Sequence, residues 1–122
     1  MAELVYLKTH SDSRGNLTVI EKEIPFPIKR IFYIYGVDDS VRGHHRHHIT
    51  EQACICICGS CRIQCDDGVI QKEFILDSPS MCLFLHPKDW HTMSHFTPDA
   101  VLLVFASTEF DPQDYIFEPY TH

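Results

Sequence analysis

Apolar and polar positions alternate with a period of two through several short stretches of this chain, and each stretch is bounded by turn residues. Val5 and Leu7, then Leu17 and Val19, predict two short strands around the turn-rich segment 11–16. Residues 21–27 read as a loop, because Pro25 and Pro27 block regular structure. Residues 29–35 are strongly β-prone, and a polar turn follows at 36–40. Ala53-Cys54-Ile55-Cys56-Ile57-Cys58 is a short apolar run with β-branched residues, the pattern of a buried strand. Cys58-Gly59-Ser60-Cys61 reads as the turn of a hairpin into residues 62–65, and Asp66-Asp67-Gly68 as a second tight turn into residues 69–75. Further apolar runs lie at 81–85 and 100–105, with Trp90-His91-Thr92-Met93 after the loop His86-Pro87-Lys88-Asp89. Only Asp111-Pro112 looks like a helix start, an Asp cap followed by Pro at the first helical position.

Many short strands with frequent turns imply an all-β barrel or sandwich. At 122 residues a small jelly roll fits, as a single domain over 1–122 with at most one short C-terminal helix. The chain is 44% apolar and 22% charged, which excludes a disordered polymer. A net charge of −7, without any Lys/Arg-rich run, argues against nonspecific nucleic-acid binding. No segment is long and apolar enough to span a membrane, and Met1 to Lys8 lacks a basic region followed by an apolar core. The expected location is therefore cytoplasmic, and the six cysteines are expected to be reduced. Cys58-x-x-Cys61 has the spacing of a zinc knuckle, but Cys65 and Cys82 do not supply the second pair. Cys54, Cys56 and Cys58 share one strand face by alternation and are read as small apolar packing residues.

Candidate chemistry concentrates in Arg42-Gly43-His44-His45-Arg46-His47-His48, which holds four of the nine histidines. His45 and His47 are two apart, so on an extended strand they point to one face. Imidazole both takes and gives a proton near neutral pH, so rings sharing one pocket suggest proton transfer or metal binding. The competing reading is a solvated, His-rich loop of incidental composition. His45-x-His47-x-x-x-Glu51 with the distant His91 resembles the cupin motifs, in which such a set surrounds one transition metal.

A closer resemblance runs over nearly the whole chain. Asp12-Ser13-Arg14-Gly15, Ile24-Pro25-Phe26, Ile28-Lys29-Arg30, Arg42-Gly43-x-His45-x-His47 and Glu51-Gln52 carry its first half. Gly59-Ser60-Cys61-Arg62, Asp66-Asp67-Gly68, Leu76-Asp77-Ser78-Pro79, Trp90-His91-x-Met93 and Asp114-Tyr115-Ile116 carry the second. Together they resemble the cupin-fold 3,4-ketoisomerases that act on dTDP-4-keto-6-deoxyglucose. His44, Arg46 and His48 make this segment more basic than that family leads one to expect. Alternation places them on the face opposite His45 and His47, as surface charge or a subunit contact.

The resemblance implies a metal-free and cofactor-free isomerisation, with His45 as the carbon base and His47 as the oxygen shuttle. It also brings His91 and Arg14 to the pocket, a combination similar to the enzymes that form the galacto 3-keto sugar, on a route to 3-amino-3,6-dideoxygalactose. Arg42 and Arg30 are candidate pyrophosphate clamps, since guanidinium meets phosphate oxygens at two points. Gln52 is a candidate hydrogen-bond partner for a sugar or phosphate oxygen. Tyr33 and Tyr35 share a face that would contact thymine or sugar, or else pack in the core. Trp90 reads as a core or pocket-wall residue. The resemblance further implies a homodimer, with the first strand exchanged between subunits as one form of it. Two other readings stay open: a metal-dependent cupin using His45, His47, Glu51 and His91, and a non-catalytic sugar-binding cupin.

Overall fold

The computed structural model describes residues 1–122 and contains twelve strands and one 3-10 turn. One sheet runs in the order β1 (Glu3–Tyr6), β9 (Met81–Leu85), β6 (Gln52–Cys58), β11 (Val101–Ala106), β4 (Arg30–Tyr35). The other runs β12 (Tyr115–Ile116), β5 (Arg42–His47), β10 (Trp90–Ser94), β7 (Cys61–Asp66), β8 (Gln71–Leu76). A separate hairpin pairs β2 (Lys8–Asp12) with β3 (Gly15–Val19). Every pairing is antiparallel. No helix is long and apolar enough to cross a membrane.

The two sheets face each other over one apolar layer. Cys54, Cys56, Leu83, Leu102 and Val104 enter it from the first sheet, and Cys61, Ile63, Cys65, Leu76 and Met93 from the second. This is a jelly-roll arrangement, in which alternate residues of facing strands fill the space between sheets. A smaller cluster forms on the outer side of the first sheet, where Leu7 and Phe26 cover Ala53, Ile55, Cys82 and Phe105. The proline-bearing loop thus serves as a partial lid over that face.

Three sequence-based expectations change. The segment Cys58-Gly59-Ser60-Cys61 does not close a hairpin: β6 pairs with β9 and β11, while β7 pairs with β8 and β10. The turn instead carries the chain from one sheet to the other. It is fixed by Thr97, whose hydroxyl accepts the Ser60 N–H at 2.9 Å and whose N–H donates to the Ser60 carbonyl at 3.0 Å. Cys58 consequently lies exposed beside Asp99, whereas Cys54 and Cys56 are buried as expected. The register shifts between Val101 and Leu102, which ends the regular alternation before Cys58. Finally, the N-terminal segment makes two strands before the turn, because the chain breaks at Leu7, whose N–H donates to the Ser80 carbonyl.

Burial raises the thiols of Cys54, Cys65 and Cys82, the last two to about 12, so these cysteines pack as neutral apolar groups. The C-terminal helix start is confirmed in miniature. Asp111 caps a single turn, Pro112–Asp114, by accepting the Gln113 N–H. The chain then becomes β12 and joins the edge of the second sheet beside β5.

Gly59 sits at φ +66°, and a Cβ there would lie 2.8 Å from the Ala100 Cα and against the Thr97 hydroxyl. Gly59→Ala should therefore lower stability by about 1–3 kcal/mol, from backbone strain and steric displacement together. Urea unfolding monitored at Trp90 measures this; an unchanged midpoint would show that the intersheet turn is not fixed as described.

Candidate active site

The histidine segment forms β5, the Trp90–Ser94 segment forms β10, and the two are neighbours in the second sheet. His45 is paired with His91 across this ladder. His45, His47 and His91 all point inward, between the sheets. Ring centroids are 5.1 Å apart for His45 and His47, 4.9 Å for His45 and His91, and 6.4 Å for His47 and His91. The close approach needs Gly43, which lies at φ +91°, and a Cβ there would come 2.8 Å from the His91 carbonyl oxygen. The register of β5 against β10 shifts just after His91, which turns the ring toward its neighbours.

Each imidazole is held by its Nδ1. His45 Nδ1 donates to the Gly43 carbonyl at 3.0 Å, His91 Nδ1 to the Asp89 carbonyl at 3.0 Å, and His47 Nδ1 to the Asp114 carboxylate at 3.0 Å. Because each partner is an acceptor, the neutral tautomer carries its proton on Nδ1 and leaves Nε2 as a free base. The Nε2 atoms of His47 and His91 are buried and have no partner. Such atoms cost free energy unless something occupies the space they face.

Burial is the chief cause of the low basicity of all three rings. It brings His45 down to about 4, with the His47 charge adding to the effect. It brings His91, at 1% exposure, down to about 3. His47 is lowered too, but its hydrogen bond and charge interaction with Asp114 oppose the burial. Asp114 is itself pushed up by burial, yet the Thr50 hydroxyl, the Ile49 N–H and His47 hold it below the usual carboxylate value. Thr50 donates to Asp114 and accepts from Thr108 at 2.7 Å, so the carboxylate is fixed from three sides. Tyr115 lies edge-on to His45 and His47, at 4.8 and 4.6 Å, and forms the wall on the β12 side.

A cavity of about 160 Å³ opens beside this cluster, lined by Phe32, Ile34, Arg42, Gly43, His45, Gln52, Met93 and Tyr115. The Oε1 of Gln52 is buried there without a partner. Arg42 is among the residues that line the cavity. Arg30 stands close by, its guanidinium 5.7 Å from the rings of both Phe32 and Phe110, with Nε unpartnered. Its charge is among the causes that lower His47.

Other candidates are not brought here within one chain. Tyr33 and Tyr35 do stack on each other, at 5.8 Å, but they are 62% and 68% exposed on the outer face of the first sheet. Strand alternation gives the inner face to Phe32 and Ile34, so the two tyrosines cannot touch anything in this chain's cavity. Arg14 is exposed at the tip of the β2–β3 hairpin, paired with Asp12 at 2.7 Å. Trp90 is on the outer side of β10, beside His44, where it lines an outer groove and not the cavity beside the histidines. The four-ligand set is not assembled either: Glu51 does not line the cavity, its neighbour Gln52 does, and no group of three or more His, Cys, Asp or Glu side chains is arranged to hold a metal ion.

Comparison with known proteins shows the family. A family described as "FdtA: WxcM-like, C-terminal" matches residues 1–122. The TDP-4-oxo-6-deoxy-α-D-glucose-3,4-oxoisomerase of Aneurinibacillus thermoaerophilus is 44% identical over 117 residues, covering 93% of this chain and 84% of the relative. This chain belongs to the FdtA/WxcM-like family of TDP-sugar 3,4-ketoisomerases. Two solved ketoisomerases are similar in structure. One, from Helicobacter canadensis, has a TM-score of 0.91 at 40% identity, over 96% of this chain and 90% of that one. The other, QdtA from Thermoanaerobacterium thermosaccharolyticum in complex with TDP, has a TM-score of 0.92 at 41% identity, over 96% and 88%. The RmlC epimerase of Mycobacterium tuberculosis, at 16% identity and a TM-score of 0.82, shares the cupin-like fold.

Sequence reasoning about this ketoisomerase missed the roles of Asp114, Thr50 and Tyr115. Asp114 is 67 residues from His47, and no local spacing links the two. The one available signal is the Asp111-Pro112 turn, which implies a short ordered stop that could present the next carboxylate inward.

Proton-detected titration of the histidines should give a midpoint of about 4 for His45 and about 3 for His91. Both lie below the ordinary 6.5, so between those values the unfolded chain binds more protons than the native one. Stability must then rise with pH in that window, and the fold should weaken steadily as pH falls below about 6.5. Midpoints near 6.5 for both rings would show that they are solvated rather than buried together.

Proposed function

We propose that this protein converts TDP-4-keto-6-deoxyglucose to a TDP-3-keto-6-deoxyhexose by moving protons between neighbouring carbons. The observation that carries this reading is the set of three neutral imidazoles whose Nδ1 atoms are occupied and whose Nε2 faces remain free. The ketone at C4 acidifies the hydrogen on C3. His45, on the cavity wall, takes that proton and an enediolate forms. The free Nε2 of His47 takes the C3 hydroxyl proton, becoming a transient imidazolium, and returns it to the C4 oxygen. Reprotonation at C4 then leaves the ketone at C3. C3 has lost one hydrogen to His45, whose proton exchanges with water before C4 is reprotonated, and one proton has moved from O3 to O4, with no net electron transfer to or from the sugar.

Asp114 suits His47 for the oxygen-side role, because a buried carboxylate stabilises the imidazolium that must appear transiently. His91 is buried behind the cavity wall with its ring 4.9 Å from that of His45, and completes the cluster. Arg42 and Arg30 supply positive charge for the pyrophosphate, and Gln52 offers its free amide oxygen to a sugar hydroxyl. The galacto product is the proposed stereochemical outcome, from the pairing of Arg14 with His91.

That outcome requires a second chain, and a homodimer is part of the proposal. The hairpin bearing Arg14 is exposed from Lys8 to Leu17. Ile31, Tyr33 and Tyr35 add an exposed apolar strip on edge strand β4. A partner that covers this strip and takes the hairpin would receive Arg14 at its own cavity.

Turnover of the TDP-keto sugar in deuterated water, followed by NMR, tests the reaction: one deuterium should enter at C4 of the product. His45→Asn and His47→Asn should each lose at least about a hundredfold in kcat. Asp114→Asn should lower activity and move the acid limb of the pH profile to lower pH, because it removes the group that raises His47. Undiminished rates in both histidine variants would dispose of the mechanism.

Mixing Arg14→Ala chains with His45→Asn chains tests the exchange. If the hairpin is donated, one site in each mixed dimer is intact, and random pairing restores about a quarter of parental activity. No restoration would mean that Arg14 serves its own chain or no site at all.

A further inference from the structure

Arg46 lies between His45 and His47 on β5 and, by alternation, on the outer face of the sheet. It is not a loose surface charge. The C-terminal segment leaves the cavity wall at Tyr115, rounds the edge of the second sheet and returns along its outside. There the Arg46 guanidinium carbon lies 4.1 Å from the centroid of the Tyr120 ring. Arg46 also donates to the Tyr120 hydroxyl at 3.1 Å and to the Glu118 carbonyl at 3.4 Å. The Tyr120 hydroxyl in turn donates to the Lys88 carbonyl at 2.7 Å. Trp90 adds a bond from its indole N–H to the Phe117 carbonyl at 3.1 Å. The Tyr120 ring lies so close to Gly68 that a Cβ there would stand 3.1 Å from it.

What Tyr120 grips matters for the site. Lys88 is in the loop between β9 and β10. From that same loop the Pro87 carbonyl accepts the His47 N–H at 2.8 Å, and the Asp89 carbonyl accepts the His91 Nδ1 proton. The residues on either side of Lys88 thus hold the backbone of His47 and the imidazole of His91. We propose that Arg46 and Tyr120 form a positioning clasp, which fixes the loop at Lys88 from outside and thereby sets the spacing of His47 and His91 inside. Arg46 and Tyr120 touch no reacting atom in this arrangement. They act through the Lys88 carbonyl and the backbone on either side of it.

The inference rests on the ketoisomerase reading for its activity readout, and a second readout is independent of it. Tyr120→Ala and Arg46→Ala should each lower kcat about tenfold with KM within about twofold, since a displacement of well under 1 Å is costly to proton transfer. The double variant should be no worse than the poorer single, because both changes break one clasp. Arg46→Lys should recover part of the loss by keeping a cation over the ring.

Tyr120→Phe keeps the stacking and loses only the hydroxyl's bonds to the Lys88 carbonyl and to Arg46, so it folds if the Ala variants do not. In that variant the His91 and His47 imidazole resonances should move while the thermal midpoint stays within a few degrees. Unmoved imidazole resonances in Tyr120→Phe overturn the clasp, as does a kcat in Tyr120→Ala within twofold of the parent, or losses that multiply in the double variant. A parent chain with no turnover of the TDP-keto sugar would sink the ketoisomerase reading alone, leaving the resonances of Tyr120→Phe to decide the clasp.

Discussion

Three imidazole rings packed within 6.4 Å of one another, largely away from water, cannot all be charged. Removing an imidazolium from water is costly, and a second positive charge at this distance adds repulsion. The arrangement is therefore possible only if the rings are neutral, and neutrality leaves each with one N–H to satisfy. The protein meets that requirement with two backbone carbonyls and one carboxylate. Much of the local architecture follows: the left-handed Gly43, the loop that presents the Asp89 carbonyl, and the one-turn cap that presents Asp114.

The jelly roll suits this task because it places two neighbouring strands with inward faces at the same depth. His45 and His91 are directly opposed across β5 and β10, and His47 is one period further along β5. Farther down the same interior the side chains become purely apolar, with Ile63, Leu83, Leu102 and Val104 fully buried. The cysteines belong to that lower part. Cys54, Cys56, Cys61 and Cys65 are small enough to let the sheets approach, and the burial that raises Cys54 and Cys65 keeps both neutral.

Much of this was legible in the sequence, for identifiable reasons. Period-two alternation located the strands, and a spacing of two placed His45 and His47 on one side. The Asp66-Asp67-Gly68 turn was readable because Asp side chains cap the turn's own N–H groups, as Asp66 and Asp67 do for Gly68, Val69 and Ile70. What could not be read was the destination of each strand. A Gly-Ser turn between two apolar runs looks the same whether it returns along one sheet or crosses to the other, and only the contact with Thr97 decides it. Tyr33 and Tyr35 illustrate a related limit: alternation shows that two residues share a face, but not whether that face is inside. Asp114 illustrates the third, since a partner 67 residues away leaves no periodic trace.

The single carboxylate gives the cluster a direction. His45 and His91 are hydrogen-bonded only to neutral carbonyls, so burial, with repulsion from the neighbouring rings, makes both weak bases. His47 has Asp114, whose charge opposes the same burial penalty. A proton admitted to the cluster is therefore held best at His47, next to a carboxylate that is itself fixed by Thr50 and the Ile49 N–H. A second carboxylate beside His45 would remove that preference and tend to retain a proton on the ring that, in the proposed reaction, accepts one from carbon. On the proposed reaction, then, what is required of the site is one well-supported carboxylate on one histidine and none on the others, which is the distribution these side chains adopt.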